Sequence, residues 1–444
     1  TTATSTLGPT LWNEFTLGLL DAGECLIDDL SVVESPTGNA IELLANGNFE
    51  SGLSGWRPLG THDRTRVEVD PDNPANHVLH LVSTGWTYHL SDHLETTLAG
   101  NRAITNGRQY RVSFRARWLS GNPRLNTRLY FNRVARTTEL LTSTRHGTPG
   151  RRNPRWTAHL GPTFAGLRHD PVVPAATSPV TVSVNVADPD GLGGVRLRWS
   201  ANGQPWQSVA MSAAGAPDPS AYTPFTGRIP AQPAGSVVQF YVEAASLLNL
   251  TNTAPPAGPA SRACYPVDDG SARMSAVHRF RLVMPPADAT ALHAPTNVMS
   301  YAWRPATLIY DERQAFYDAA LHLQSSERGR NENYRVGFAV RLPADHLFRG
   351  VQQRLTFDRS GGYSGRGGRH DELLLWHAVN HAGGLLGLEC DLGQLFAPRA
   401  DENSTALIRQ SAFDGDYFDR QFDQGSDGQL FKLELIYYPL TTVN

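Results

Sequence analysis

Lysine is almost absent from this 444-residue chain. Arginine supplies every basic residue except Lys432, so any mechanism that needs a lysine has one candidate. Charged residues make up 18% of the sequence, below the roughly 25% that is usual for globular proteins. The formal net charge is only −3. Such a chain has no global field that would attract nucleic acid or anionic lipid, so neither is predicted as a partner.

Cysteine and long apolar runs are also scarce. Cys25, Cys264 and Cys390 lie far apart and form no CxxC pair, which argues against a zinc site and a disulfide framework but leaves one long-range disulfide open. No apolar run approaches the roughly 18 residues of a membrane helix, so no membrane span is predicted. The first residues, TTATSTLGPT, carry no export signal, and the signal of an exported protein would lie outside this chain.

Glycine and proline, by contrast, are plentiful, with 40 and 30 residues. They are spread along the chain without the three-residue period of collagen, which indicates many short connections between strands. A chain of this length is enough for about two to four domains. We therefore predict a multidomain, mainly β protein.

Alternation of apolar and polar residues divides the chain into four segments. Residues 1–36 hold two short strands, LWNEFTLGLL and CLIDDLSVV, which cannot stand alone; they either end a truncated upstream domain or contribute to the next module. Residues 41–160 predict a β-sandwich, with YRVSFRARW as the clearest half-buried strand. Residues 163–268 have the strand spacing of an immunoglobulin-like sandwich. Residues 271–444 predict an incomplete α+β domain with its longest helix at 371–385, a strand at 406–413, a short helix at 416–422 and a long strand at 429–438.

Two parts of the sequence resemble known β modules. LLANGNFESGLSGW with ITNGRQYRVSFRARW resembles the carbohydrate-binding jelly rolls that have a galactose-binding-like fold, and LIDDLSVVE resembles the final strand of another copy. VADPDG and the strand spacing around it are similar to the immunoglobulin-like spacers of bacterial surface proteins. These resemblances imply a jelly-roll β-sandwich at 41–160, the C-terminal strands of an upstream jelly roll at 1–36, and a fibronectin-like or immunoglobulin-like sandwich at 163–268.

The region 271–444 resembles the N-terminal part of the CotH kinase family, as found in large multimodular bacterial proteins. The resemblance rests on four ordered blocks: ATLIYDERQAFYDAALHLQ, YRVGFAVRLPADHLFRGVQQRLTFDR, DELLLWHAVNHAGG and FDGDYFDRQFDQGSDGQLFKLEL. The family implies a secreted, kinase-like fold that binds ATP with a divalent metal such as Mg²⁺. Its acidic DxDF-type motif is not found before Asn444. This chain alone is therefore expected to lack phosphotransferase activity, and no catalytic residue is assigned.

Aromatic side chains are the candidates for sugar binding, because the C–H face of a pyranose ring stacks on a flat aromatic ring. The candidates are Trp56, Trp86, Tyr88, Trp118 and Tyr130. Trp86 and Tyr88 are favoured because they occur in the polar stretch STGWTYHLSDH. Trp118 and Tyr130 lie on predicted strands, where the alternative is a place in the core.

Three acidic residues are candidate ligands of a structural calcium ion, which prefers carboxylate and carbonyl oxygens. Glu50 in NGNFE resembles the position at which related jelly rolls hold such an ion. Asp70 and Asp72 lie in the oxygen-rich stretch VDPDNPAN. The alternatives are a surface or capping role for Glu50 and a simple turn for DPDNP.

Three basic residues are candidate nucleotide ligands. Lys432 in QLFKLEL corresponds to a strand lysine that many CotH relatives carry, and the alternative is an exposed strand residue. Arg366 and Arg369 lie in the glycine-rich run GGYSGRGGRHDE, which precedes a predicted helix and could cradle phosphate groups. Because the run matches neither GxGxxG nor GxxxxGK[ST], a linker is the alternative.

These patterns predict a secreted or cell-surface bacterial protein segment that binds glycans or other cell-surface polymers, or that serves in adhesion and scaffolding. One alternative is an ATP-dependent CotH-type kinase whose catalytic half lies downstream. Another is a structural subunit of an extracellular assembly, whose open strands are completed by neighbouring copies. Exposed aromatic platforms would favour glycan binding.

Overall fold

The structure is a computed structural model that describes residues 2–4, 13–85, 92–129, 133–142, 156–216, 218–272, 277–294, 297–298, 300–324, 336–358, 371–383, 387–403 and 408–428. The described residues are mainly β and form several sheets, which confirms the prediction of a multidomain β protein. They divide into two compact units. The first contains the described residues up to 142 and those between 297 and 303, and the second contains the rest.

The first unit is a sandwich of two sheets. Its strands are β1 (Thr2–Thr4), β2 (Glu14–Leu19), β3 (Gly23–Glu34), β4 (Ile41–Glu42), β5 (Trp56–Pro58), β6 (Arg66–Asp70), β7 (Asn73–Ser83), β8 (Leu94–Thr97), β9 (Gln109–Gly121), β10 (Arg124–Leu129) and β11 (Arg133–Glu139). One sheet has the order β1-β9-β3-β7-β6, with β4 beside β3, and the other has the order β11-β10-β2-β8-β5. The pairs are antiparallel, and one buried core contains side chains from both sheets.

The two strands predicted in residues 1–36, now β2 and β3, belong to this sandwich. β3 lies between β7 and β9 in one sheet, and β2 lies between β8 and β10 in the other. Their side chains Phe15, Leu17 and Ile27 are buried in the shared core. The prediction that these strands end a separate upstream domain is therefore wrong, and the alternative, that they contribute to the next module, is confirmed. Strands of this kind are stable because a second sheet covers their apolar side, which a lone hairpin does not have.

A second sandwich opens the second unit. Its strands are β12 (Thr163–Asp170), β13 (Val180–Ala187), β14 (Leu192–Ala201), β15 (Gln207–Ala210), β16 (Ser212–Ala213), β17 (Thr223–Ile229), β18 (Val237–Ser246), β19 (Thr251–Ala254) and β20 (Ala263–Pro266). The sheets have the orders β12-β13-β17-β16 and β15-β14-β18-β19, with β20 also beside β18. Strict alternation in VTVSVNV buries every valine of β13, because period-two side chains on one face of a strand all reach the same core.

The rest of the second unit is built on a closed barrel. Its strands are β21 (His278–Val283), β22 (Arg304–Tyr310), β23 (Gln314–Gln324), β24 (Gly337–Arg341), β25 (Arg354–Asp358), β26 (Cys390–Phe396) and β27 (Ile408–Ser411), in the order β21-β22-β23-β24-β25-β27-β26. The helices are α1 (Pro286–Leu292), α2 (Asp371–His381) and α3 (Gly415–Gln421). α2, β27 and α3 confirm the elements predicted at 371–385, 406–413 and 416–422. The strand predicted at 429–438 lies outside the described residues.

Hydrogen bonds join this second sandwich to the barrel. The Thr307 hydroxyl on β22 accepts the Cys264 N–H at 2.9 Å and donates to the Arg262 carbonyl at 2.6 Å. The Arg262 N–H in turn donates to Asp318 on β23. The predicted boundary near residue 270 thus separates two folds that share buried polar contacts.

Candidate functional site

One sheet of the first unit has a polar outward face. Along β2, Phe15, Leu17 and Leu19 are buried in the core. The alternate residues Glu14, Thr16 and Gly18 therefore lie on the opposite side of the sheet, away from that core. Register adds neighbours from the other strands: Arg57 on β5, Glu95 and Thr97 on β8, and Asn126 and Arg128 on β10. We call these eight residues, together with His93, the polar face. Every one of them is polar or glycine.

Glu95 connects two neighbouring side chains of the polar face. Arg57 Nε donates to its Oε1 at 2.8 Å, and Nε2 of His93 lies 3.0 Å from its Oε2. Arg57 also donates to the Thr97 hydroxyl, at 3.2 Å. Arg57 and His93, the two side chains that contact Glu95, are therefore held in fixed orientations.

The other ring nitrogen of His93 continues the chain of contacts. Its Nδ1 lies 3.2 Å from Nη2 of Arg128, and Arg128 Nε donates to the Thr16 hydroxyl at 2.9 Å. A guanidinium group can only donate, so His93 accepts at Nδ1 and carries its proton on Nε2, towards Glu95. One connected row of side chains thus crosses four strands, from Arg57 through Glu95, His93 and Arg128 to Thr16.

Charges on the polar face are balanced. Burial disfavours ionised Glu95, but hydrogen bonds from His93 and Arg57 outweigh that effect and hold its pKa below the ordinary value. Burial lowers the pKa of His93, so the imidazole is neutral. Burial and the nearby Glu95 raise the pKa of Glu14, which lies 3.8 Å from Arg57. Two guanidinium groups and two carboxyl groups leave no excess charge for an anionic ligand.

A short 3₁₀ turn, residues 60–62, covers the polar face at Gly18. Nε2 of His62 accepts the Leu19 N–H at 3.0 Å, and Asp92 accepts the Thr61 N–H at 3.0 Å. His62, Thr61 and Asp92 are all buried. Burial, and to a lesser extent the neighbouring His93 and Arg128, lower the pKa of His62 to about 3. The neutral imidazole therefore fixes the turn against β2.

The part of the polar face away from this turn reaches solvent. The Arg57 side chain is 42% exposed and that of Glu95 16% exposed, whereas Thr16, Gly18 and His93 are buried. Fixed donors and acceptors in a neutral setting can bind vicinal hydroxyl groups.

The aromatic candidates are placed differently from the prediction. Trp56 is only 5% exposed and packs against Phe49 and Phe15, with ring centroids 5.5 and 6.4 Å away, while its Nε1 donates to the Asn46 carbonyl. Trp56 is therefore a core residue and offers no stacking surface, a correction of the prediction. Trp118 is partly buried against the same core, and its Nε1 donates to the Gly121 carbonyl at 3.1 Å. Trp86, Tyr88 and Tyr130 lie outside the described residues.

The proposed calcium ligands do not form a metal site. Both oxygens of Glu50 are engaged by His77, through its N–H and its Nδ1, each at 2.9 Å. Asp70 accepts from the Asp72 N–H and from Asn76, and Asp72 pairs with Arg117 at 2.6 Å. No group of three histidine, cysteine or acidic residues within the described ranges could hold a metal ion. These residues as arranged do not fit a bound Ca²⁺, and DPDN has the internal hydrogen bonding of a turn.

Lys432, Arg366 and Arg369 lie outside the described residues. The three cysteines are all unbridged. Among the helices of the described ranges, none combines the length and hydrophobicity that crossing a membrane would take.

Sequence reasoning missed the polar face, although one signal for it was present. The alternation in LWNEFTLGLL already separates Glu14, Thr16 and Gly18 from the apolar positions. What the sequence does not give is the register that places Glu95 and Arg128 on either side of Thr16.

Comparison with known proteins adds little. No family model matches the chain, and no curated protein matches it. Among solved structures, the chain is similar to a cycloalternan-degrading enzyme from Trueperella pyogenes in complex with a covalent intermediate, with 12% identity and a TM-score of 0.17. The match covers 44% of this chain and 28% of that enzyme. At this level the likeness carries no argument about fold or function.

Proposed function

We propose that the first unit binds a neutral carbohydrate on its polar face. The observation that supports this proposal is the connected row from Arg57 through Glu95, His93 and Arg128 to Thr16 on the outward side of one sheet. Sugar hydroxyls both donate and accept hydrogen bonds, so a ligand of this kind can use guanidinium donors and carboxylate acceptors together. Because these charged groups balance, the ligand needs no charge of its own.

Preorganisation is the second reason for a carbohydrate. A sugar gains little from displacing water unless its partners are already oriented, because each immobilised side chain costs about 0.5–1.5 kcal/mol on binding. The contacts between 2.8 and 3.2 Å along the row hold those side chains before any ligand arrives.

The wider setting we propose is an extracellular or cell-surface multidomain protein, in which the glycan-binding sandwich acts in adhesion or scaffolding. Support for this setting comes from the sequence resemblance to carbohydrate-binding jelly rolls at 41–160 and to immunoglobulin-like spacers at 163–268. ATP and Mg²⁺ binding by the CotH-like region is the second candidate, and only the resemblance of its sequence blocks favours it.

A binding experiment with matched variants tests the proposal. The full chain would be screened against immobilised neutral oligosaccharides of glucose, xylose, mannose and galactose, and the best of these titrated by calorimetry. Replacing Glu95→Gln or Arg57→Gln should weaken binding about tenfold or more, because charge-assisted hydrogen bonds contribute about 1.5–3 kcal/mol each.

The control is Arg66→Gln, which removes a similar pair with Glu68 at 3.1 Å on the other sheet. It should leave the affinity unchanged. Binding that all three variants retain equally would contradict the polar face as the site, and the absence of binding to any oligosaccharide would favour a purely structural role.

A further inference from the structure

One end of the barrel gathers a second cluster of polar side chains. β21 and β26 are parallel, so their first residues lie at the same end, and antiparallel β22 finishes there. His278 begins β21, Tyr310 ends β22, and Asp391 is second in β26. Arg349, from the connection between β24 and β25, joins them. We call these four residues, with Asp311, the barrel mouth.

The Arg349 side chain is held in place, but two of its hydrogen bonds are long. Its Nη1 lies 3.0 Å from Asp391 Oδ2, and its guanidinium carbon lies 5.0 Å from the centre of the Phe348 ring. Its Nη2 faces the Tyr310 hydroxyl at 3.3 Å and Nε2 of His278 at 3.4 Å. Both distances exceed the usual N–H donor range of about 2.7–3.2 Å. The side chain is 43% exposed, so a ligand can replace these long contacts with shorter ones.

His278 is oriented by a neighbouring carboxylate. Nδ1 of His278 lies 2.8 Å from Asp311 Oδ2, and the other oxygen of Asp311 accepts the Arg279 N–H at 2.8 Å. The Tyr310 hydroxyl lies 2.8 Å from the same Nδ1, and Nε2 is on the side where Nη2 of Arg349 lies. The Tyr310 ring packs against the imidazole, with centroids 5.2 Å apart. Arg349, His278 and Tyr310 thus converge on one partly exposed place.

Asp391 contacts two guanidinium groups. Its Oδ2 lies near both Arg349 and Arg409. Arg409 is 2% exposed, and its Nε has no hydrogen-bond partner within the described part of the chain. Asp311 is committed to His278 and to the backbone. With these two carboxylates nearby, a ligand group with one negative charge meets less repulsion than a dianion does.

We propose that the barrel mouth binds the carboxylate group of a small acidic ligand, with Arg349 as the principal donor and with the Tyr310 hydroxyl beside it, while Nε2 of His278 accepts from Arg349. A planar guanidinium group matches a carboxylate in shape and can donate two parallel hydrogen bonds. Acidic sugars and amino acids both carry such a carboxylate, and the ligands tested distinguish the two. This site is independent of the polar face of the first unit.

The test uses the full chain and four small probes at neutral pH. Binding of glucuronate, N-acetylglycine, glucose and inorganic phosphate would be measured by ligand-observed NMR. We expect at least one carboxylate to bind more tightly than glucose and phosphate. Binding of glucuronate alone would identify a sugar acid, and binding of both carboxylates would identify the carboxylate itself as the recognised group.

Variants locate the binding. Arg349→Gln should weaken carboxylate binding about tenfold or more, and Tyr310→Phe about threefold to fivefold. Arg313→Gln removes an exposed charge from the hairpin that follows Tyr310 and should change the affinity less than twofold. Circular dichroism checks that each variant folds. If Arg349→Gln does not fold, the carboxylate affinity of Tyr310→Phe tests the proposal instead. Equal affinities for glucuronate and glucose, tighter binding of phosphate, or unchanged binding in Tyr310→Phe would overturn the proposal.

Discussion

Gly18 lies directly beneath the imidazole of His62. A Cβ atom at position 18 would come within 3.0 Å of His62 Nε2 and 3.1 Å of Cε1. The same Nε2 accepts the N–H of Leu19 at 3.0 Å. Glycine is required here because the ring and the strand approach so closely, and this approach fixes the turn at one end of the polar face.

Replacing Gly18→Ala should therefore destabilise the first unit. The methyl group would displace the buried imidazole and stretch its bond to Leu19, at an expected cost of about 1–2 kcal/mol in the free energy of unfolding. Urea denaturation measures the change. Gly38→Ala is the control, because its nearest contact would be 3.9 Å away. Equal stability of the two variants would show that the imidazole can move without cost.

His62 should also make the first unit sensitive to acid. Its pKa falls from the ordinary 6.5 to about 3 in the folded protein, chiefly through burial. Between these values the unfolded chain binds a proton that the folded chain does not, so stability falls as the pH is lowered from 6.5. His62→Gln should reduce the slope of unfolding free energy against pH, by up to about 1.4 kcal/mol per pH unit.

Denaturation of the wild type and His62→Gln at several pH values between 4 and 7 measures this slope. The control is His77→Gln, which alters an exposed side chain of the same unit. A slope that both variants share with the wild type would mean that His62 already binds its proton in the folded state.

Strands and helices could be predicted from the sequence where the spacing of apolar residues within one segment is enough to identify the element. VTVSVNV alternates strictly and forms β13, and DELLLWHAVNH forms α2 as its spacing predicts. The partners of β2 and β3 could not be predicted in this way. Strand β3 pairs Ser31 with Ser113, a contact between positions far apart in the chain, and nothing in either strand specifies the other.

The candidate site was harder to predict for the same reason. Arg128 and the Thr16 hydroxyl are separated by 112 positions, so only the sheet register brings them together. Trp56 shows the other difficulty. A strand of three residues has too short a pattern to tell which side faces the core, and the ring that was expected to stack on sugar packs inside.

Thr307→Val should weaken the second unit. The hydroxyl is buried and serves both the Cys264 N–H and the Arg262 carbonyl. Valine leaves the buried Cys264 N–H without this partner, whereas the Arg262 carbonyl keeps the Asp318 N–H at 3.1 Å. We expect a loss of about 1–3 kcal/mol in unfolding free energy. Thr181→Val, at a half-buried position of β13, is the control and should change stability by less than about 0.5 kcal/mol. Thermal unfolding followed by calorimetry measures both; a loss in neither would contradict a stabilising role for Thr307.

Trp56→Phe separates a core residue from a sugar-binding residue. Phenylalanine keeps an aromatic ring but loses the bond from Nε1 to the Asn46 carbonyl, 3.1 Å long, and part of the packing against Phe49. Unfolding free energy should fall by about 1–3 kcal/mol, while affinity for a neutral oligosaccharide stays within twofold of the wild type, because the ring lies on the inner side of the sheet and Arg57 and Glu95 on the outer side. Urea denaturation and calorimetric titration of the same samples give the two quantities. If Trp56→Phe bound the oligosaccharide more weakly but unfolded with the same free energy as the wild type, Trp56 would be a sugar-binding residue and not a core residue.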